Sequence, residues 1–155
     1  MNISKFTQKS VEILNNLEKI AYDFGAQEIA QEHLLYGMLT VEDSLIKKLI
    51  EKMEIDSDVF LAQVEGAVRK RPQVQGGQVY IGQDLNKVLV YAENEAKALG
   101  DEYVSVEHLF LSLLRKPSKE IKQLFHDFQI DRERFLQALS KVRGNQKVTT
   151  DNPEA

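Results

Sequence analysis

The chain has 155 residues, 43% of them hydrophobic and 28% charged, with a formal net charge of −4 and no cysteine. That balance suits one domain with a core of ordinary size and excludes a disordered chain. No apolar run approaches the ~20 residues that cross a bilayer, the start from Met1 to Phe6 has no signal-peptide stretch, and the negative balance argues against nucleic-acid binding. The missing cysteines remove disulfide and thiolate chemistry and fit a reducing cytoplasm.

In chain order, the first predicted element begins after Thr7, a plausible N-cap, and buries Ile13, Leu14, Leu17, Ala21 and Phe24 at helical spacing. Gly25 ends it as a left-handed C-terminal residue. A second helix carries Glu32-His33-Leu34 and runs to about Leu39, although Ala30 in front of it has no capping group. A third spans about Asp43 to Lys52. The fourth starts at Asp56, with Ile55 before it and Phe60 at its fourth position forming a hydrophobic staple. Residues Pro72 to Tyr80 then read as a flexible surface connector.

The next elements repeat the first. Sliding Phe6–Arg69 forward by about 75 residues lays it on Ile81–Gly144 without a gap, with roughly a quarter of positions identical. Gly25 falls on Gly100, Glu32-His33-Leu34 on Glu107-His108-Leu109, and Ile55-Asp56 with Phe60 on Ile130-Asp131 with Phe135. Ser105 and Ser118 are placed to cap the second and third helices of this copy. No run alternates long enough to make a strand. The expectation is an all-α fold of two tandem four-helix repeats, packed as a pseudo-twofold single domain. Repeat one covers about residues 6–69, the connector 70–80 and repeat two about 81–144. Residues 145–155 read as a polar linker towards something beyond this chain.

Few residues suggest chemistry. Gly77 and Gly82 have the spacing of a phosphate-binding loop, but Gln83 and Asp84 stand where lysine and serine or threonine are required. ATP binding within this chain is therefore not expected. His33 and His108 recur at one structural position, which favours a packing and hydrogen-bonding role over a ligand or base. His126 is expected to be exposed. With no cysteine and no close histidine pair, no metal site is expected. No serine sits in a nucleophile setting, so an enzyme is not expected. Arg69-Lys70-Arg71 reads as a solvated helix end suited to the negative pole of the macrodipole.

Two features stay open. Glu32 and Glu107, in first turns, either offset the positive helix end or contact a basic or amide-rich ligand. Val90 and Tyr91 replace Asn15 and Asn16 off the buried stripe. They either pack between the repeats, the commoner explanation, or line an exposed groove.

Two helical units beginning at Phe6-Thr7 and carrying Ile29–Leu35 and Val104–Phe110 resemble the Clp N-terminal domain. This is the double repeat that precedes the ATPase rings of Hsp100/Clp unfoldases, and the resemblance covers nearly the whole chain. The tail from Val142 to Val148, followed by Asn152-Pro153-Glu154, is similar to the join in the disaggregase branch.

The resemblance implies a cytoplasmic substrate-recognition domain, itself a monomer. It would be tethered to a homohexameric motor that threads unfolded or aggregated clients and works with an Hsp70-type chaperone system. ATP would be the cofactor of modules outside this chain, with none held here. It also implies peptide-binding roles for Thr7, Asp101 and Glu107, and an apolar groove at Leu89 and Tyr91. The alternative is the protease-partnered branch, which docks adaptors or reads phosphoarginine through the glutamates matched by Glu32 and Glu107 and threonines at two helix starts. Thr7 is present, but Gly82 replaces the second threonine.

Overall fold

Each fourth helix starts where an aspartate can satisfy first-turn N–H groups that have no intrahelical acceptor. Asp56 accepts from the Asp58 and Val59 N–H groups, and Asp131 from that of Arg134. These caps open α5 (Ser57–Arg69) and α9 (Arg132–Arg143). The structure, a computed structural model, describes residues 3–153. In repeat one α5 is preceded by α1 (Gln8–Asn15), α2 (Leu17–Asp23), α3 (Gln31–Thr40) and α4 (Leu45–Lys52). In repeat two α9 is preceded by α6 (Gln83–Ala98), α7 (Val106–Arg115) and α8 (Lys119–Asp127). The fold is all-α, and the two sets of helix limits coincide to within about a residue after the 75-residue shift.

The repeats differ most in their first helix. In repeat two it is continuous, whereas in repeat one it breaks at Asn16, whose N–H turns back to the Ile13 carbonyl at 3.1 Å. Asparagine is a poor helix former, and two in succession on the solvent side give that turn little to hold it. Gly25 and Gly100 both end their helices at φ +72°.

Small strand contacts that the sequence reading did not expect tie the repeats together. Strand β1 (Glu28–Ile29) pairs in parallel with β2 (Tyr80–Ile81), and Phe6 bridges Val104 in the same sense. The two pairings are related by the repeat, so the residue before each first helix lies on the loop before the other repeat's second helix. The connector is therefore anchored at Tyr80.

A single apolar core runs through both repeats, from Leu34, Leu35 and Ile46 to Leu109, Phe110 and Phe135. Helix α4 lies against α7 and α9, and the Phe60 ring meets Phe128 edge-on at 5.0 Å. A polar clamp adds to this. Gln31 donates to the carbonyls of Asp84 and Lys116 and accepts the Ser118 N–H at 2.8 Å. Ser118 stands at the N-cap of α8 as expected, yet its hydroxyl makes no cap bond, because the backbone there is positioned by Gln31.

The chain after Gly144 packs on the domain before it leaves. Gly144, at φ +63°, turns it back onto the domain, and Val148 is buried. Among the described residues no helix is long and apolar enough to cross a membrane.

Candidate functional site

The two second helices start with one device. Each histidine stands at the third helical position, and its Nδ1 accepts the N–H of the residue at the cap, Ala30 or Ser105, at 2.8 Å in both. That is the task a glutamate or glutamine performs in a capping box. It explains how α3 starts behind an alanine. It also fixes the tautomer, with the proton on Nε2.

What Nε2 meets separates the repeats. In repeat two His108 donates to Asp101 Oδ2 at 2.7 Å, with both side chains sealed from solvent. Asp101 also receives Arg143 Nη2 at 2.6 Å and, on Oδ1, the Val148 N–H at 2.9 Å. Burial pushes the Asp101 carboxyl up, but bonds from Val148, His108 and Arg143 outweigh it and hold the group below its ordinary value. Burial likewise keeps His108 below its ordinary value, although Glu107 and Asp101 oppose this.

In repeat one the position of Asp101 is Ala26, and the buried His33 Nε2 has no partner. Burial, helped by the Arg71 charge, lowers His33 to about 4.

Ser105 Oγ lies 3.0 Å from His108 Nδ1, so hydroxyl, imidazole and carboxylate stand in the order of a hydrolytic relay. Ser105 and His108 are 1% and 0% exposed, and the Nδ1 lone pair already holds a backbone N–H. No substrate reaches that hydroxyl, and the arrangement serves as a buried brace.

Thr7 caps α1 as expected. Its Oγ1 accepts the Ser10 N–H, and its own N–H donates to the Val104 carbonyl at 2.9 Å. It is therefore joined through Val104 to the loop that carries Asp101. Glu107 lies 3.5 Å from Arg143, with Oε1 free of hydrogen bonds. Asp101 and Glu107 thus share Arg143, and Thr7 reaches their loop through Val104, while the other candidates lie apart.

Leu89 is buried in the core. Tyr91 and Val90 are exposed, which overturns the inter-repeat packing explanation. The Tyr91 ring lies 4.8 Å from Lys116 Nζ, beyond the far end of α7 and roughly 14 Å of helix from Glu107.

Glu32 occupies a different place. It lies at the floor of a cleft of about 620 Å³ between α5 and α8, walled by Gly66, Ala67, Lys119 and Gln123 among others. Neither carboxylate oxygen has a hydrogen-bond partner, and the nearest cation, Arg71 Nη1, is 3.8 Å away. Burial raises the Glu32 carboxyl above its ordinary value, partly offset by its own backbone N–H and by Arg71. Arg71 is correspondingly no solvated helix end, because it also pairs with Glu28 at 3.3 Å. The Glu28 carboxylate packs directly against Gly82, so a side chain there would collide with it.

Sequence reasoning missed Arg143, Gln31 and Arg71, whose partners lie far along the chain. It also missed Glu95, which takes Arg115 Nε at 2.6 Å and Arg132 Nη1 at 2.5 Å. Burial raises Glu95, but the two arginines outweigh it and lower its pKa. No group of three or more histidines and carboxylates among the described residues could hold a metal.

The family model described as the Clp repeat (R) N-terminal domain matches residues 5–128. The chain belongs to this Clp N-terminal domain family. Chaperone protein ClpB of Nitratidesulfovibrio vulgaris is 41% identical over 160 residues, covering 99% of this chain, and that of Bacillus cereus is 37% identical, covering 100%. The chain spans 18% of the length of these curated relatives.

The Hsp104 N-terminal domain from Candida albicans superposes with a TM-score of 0.84 at 20% identity, covering 97% of this chain and 99% of that one. A ClpV N-domain solved in complex with a VipB peptide gives 0.73 at 19% identity, covering 99% and 92%. At these identities the structures speak for the fold. The ClpB matches make this a ClpB-like N-domain of the Hsp100 family.

Proposed function

We propose that this domain recognises unfolded or aggregated polypeptide for an ATP-dependent ClpB-type disaggregase, with residues up to about 144 as the recognition unit and ATP hydrolysis in modules outside this chain. The full protein would act as a cytoplasmic homohexamer together with an Hsp70-type system. The observation that carries the reading is how the loop at Asp101 and the start of α1, with the buried Thr7, Asp101 and Glu107 behind them, hold an extended segment. There, Asp101 accepts a backbone N–H from an extended segment, and the Glu102 N–H returns a bond to the same residue's carbonyl at 2.8 Å. A face that holds a chain by its backbone is indifferent to sequence, as a disaggregase requires. The peptide-bound ClpV N-domain shares this fold.

Contacts of this size give weak binding, in about the millimolar to micromolar range. Weak capture lets a client pass to a motor, and several copies on a ring raise avidity. The protease-partnered alternative needs an anion site at the second helix start, where Glu28 packs on Gly82 and would repel phosphate.

The deciding experiment compares a phosphoarginine peptide with its unmodified arginine twin by calorimetry on the full chain. Equal affinities are expected. A preference of tenfold or more for the modified peptide, about 1.4 kcal/mol, moves the chain to the adaptor and phosphoarginine branch.

A further inference from the structure

The extended segment on the proposed peptide face belongs to the chain itself. After Gly144 turns the backbone, Lys147 Nζ donates to the Leu99 carbonyl at 2.8 Å, and Val148 buries its side chain at 4% exposure. The Val148 N–H takes Asp101 Oδ1, and its carbonyl receives the Glu102 N–H. Further on, the Asp151 carbonyl accepts the Gln8 N–H at 2.6 Å, beside Thr7 at the start of α1. The tail thus occupies both polar ends of this face, with one apolar anchor between them. Its sequence, Lys147-Val148-Thr149-Thr150-Asp151, is itself that of an extended, β-branched peptide.

In repeat one the equivalent path is taken by the connector, where the Val74 N–H donates to the Gly25 carbonyl at 2.9 Å. That segment is held at both ends, because it must go on to β2. The tail is tethered to the domain at Gly144, where it leaves the last helix. A tethered segment has an effective concentration in about the millimolar range, enough to fill a site of weak intrinsic affinity.

We propose that residues 147–151 are an intramolecular occupant of the peptide face, displaced when a client chain binds. This rests on the peptide-binding reading above. It makes the segment leading out of the domain report on occupancy, because a bound client frees it and an empty face holds it.

The test uses the full 155-residue chain and, as probe, a permanently unfolded, reduced and carboxymethylated protein. Two readouts are taken: exchange of the Val148 amide in the wild type with and without probe, and probe affinity for the wild type and Val148→Asp. Client binding should increase Val148 exchange, and Val148→Asp should bind the probe about tenfold more tightly at the same residues. If the probe shifts residues 101–107 while Val148 stays protected, the tail is not displaced; the occupant proposal falls and the peptide reading stands. If the probe binds elsewhere, the peptide reading fails and takes this proposal with it. Should Val148→Asp not fold, wild-type exchange decides alone.

Discussion

The two repeats share helix limits, glycine stops and a histidine that caps the second helix, yet they treat their buried charges in opposite ways. Repeat two surrounds Asp101 with His108, Arg143 and a backbone N–H, and Glu95 with two arginines. Repeat one has Ala26 and Ile20 at those positions, leaves His33 Nε2 bare, and keeps Glu32 without a side-chain partner at the floor of a cleft. One duplicated scaffold therefore carries bonded carboxylates at Asp101 and Glu95 beside the proposed peptide face, where Glu107 keeps one unbonded oxygen, and a carboxylate without a side-chain hydrogen bond in a cleft. Buried charges stabilise a fold only when every member is bonded.

The largest effect should come from removing the hub of repeat two. Asp101→Ala strands Arg143, the His108 Nε2–H and the Val148 N–H, and should cost about 3 kcal/mol. In a chain of this size that is a fall of roughly 6–12 °C in Tm. Glu32→Gln, at a group without a side-chain partner, should leave Tm unchanged or raise it. Calorimetry of the two variants breaks the comparison if Glu32→Gln proves the more damaging.

Acid should act next, through His33. Its folded pKa of about 4 lies below the ordinary 6.5, so the unfolded chain binds the proton more readily. Stability is fully present above pH 6.5, falls as pH drops through the window to about 4, and loses about 3 kcal/mol by its lower end. His108, also lowered, acts in the same direction. Glu32, raised, acts in the opposite one, its contribution present below 4.5 and lost as pH rises. His33→Gln keeps an acceptor for the Ala30 N–H and removes the titration, so urea melts across this window should give a flatter profile than wild type.

A smaller effect belongs to the cleft. Gly66 sits inside α5, and a Cβ there would meet nothing within 4 Å. Gly66→Ala should stabilise by about 0.5–1 kcal/mol through helix propensity alone. A loss in denaturant melts would mean that the cleft is closed in solution.

The duplication, the aspartate caps with their phenylalanine staples and the glycine stops were legible because each is written within a few residues. The histidine cap was half legible: its recurrence marked a structural role, but an imidazole doing the work of a glutamine shows only in coordinates. Asp101 was placed by resemblance, while its partners Arg143 and Val148 lie 42 and 47 residues away, beyond any local pattern. The stripe rule put Leu89 in the core, where it lies, whereas the resemblance set it in a groove. Exposure at Tyr91 could not be read from spacing, because a position off one stripe can face either a neighbour or water.

The central claim is that the face of repeat two around Asp101, and not the cleft of repeat one, receives polypeptide. Backbone amide shift mapping of the full chain against a permanently unfolded protein tests it most directly. The account predicts shifts concentrated on residues 101–104, Glu107 and the start of α1 at Gln8. Shifts concentrated instead on Gly66, Lys119 and Gln123 around Glu32 would contradict it.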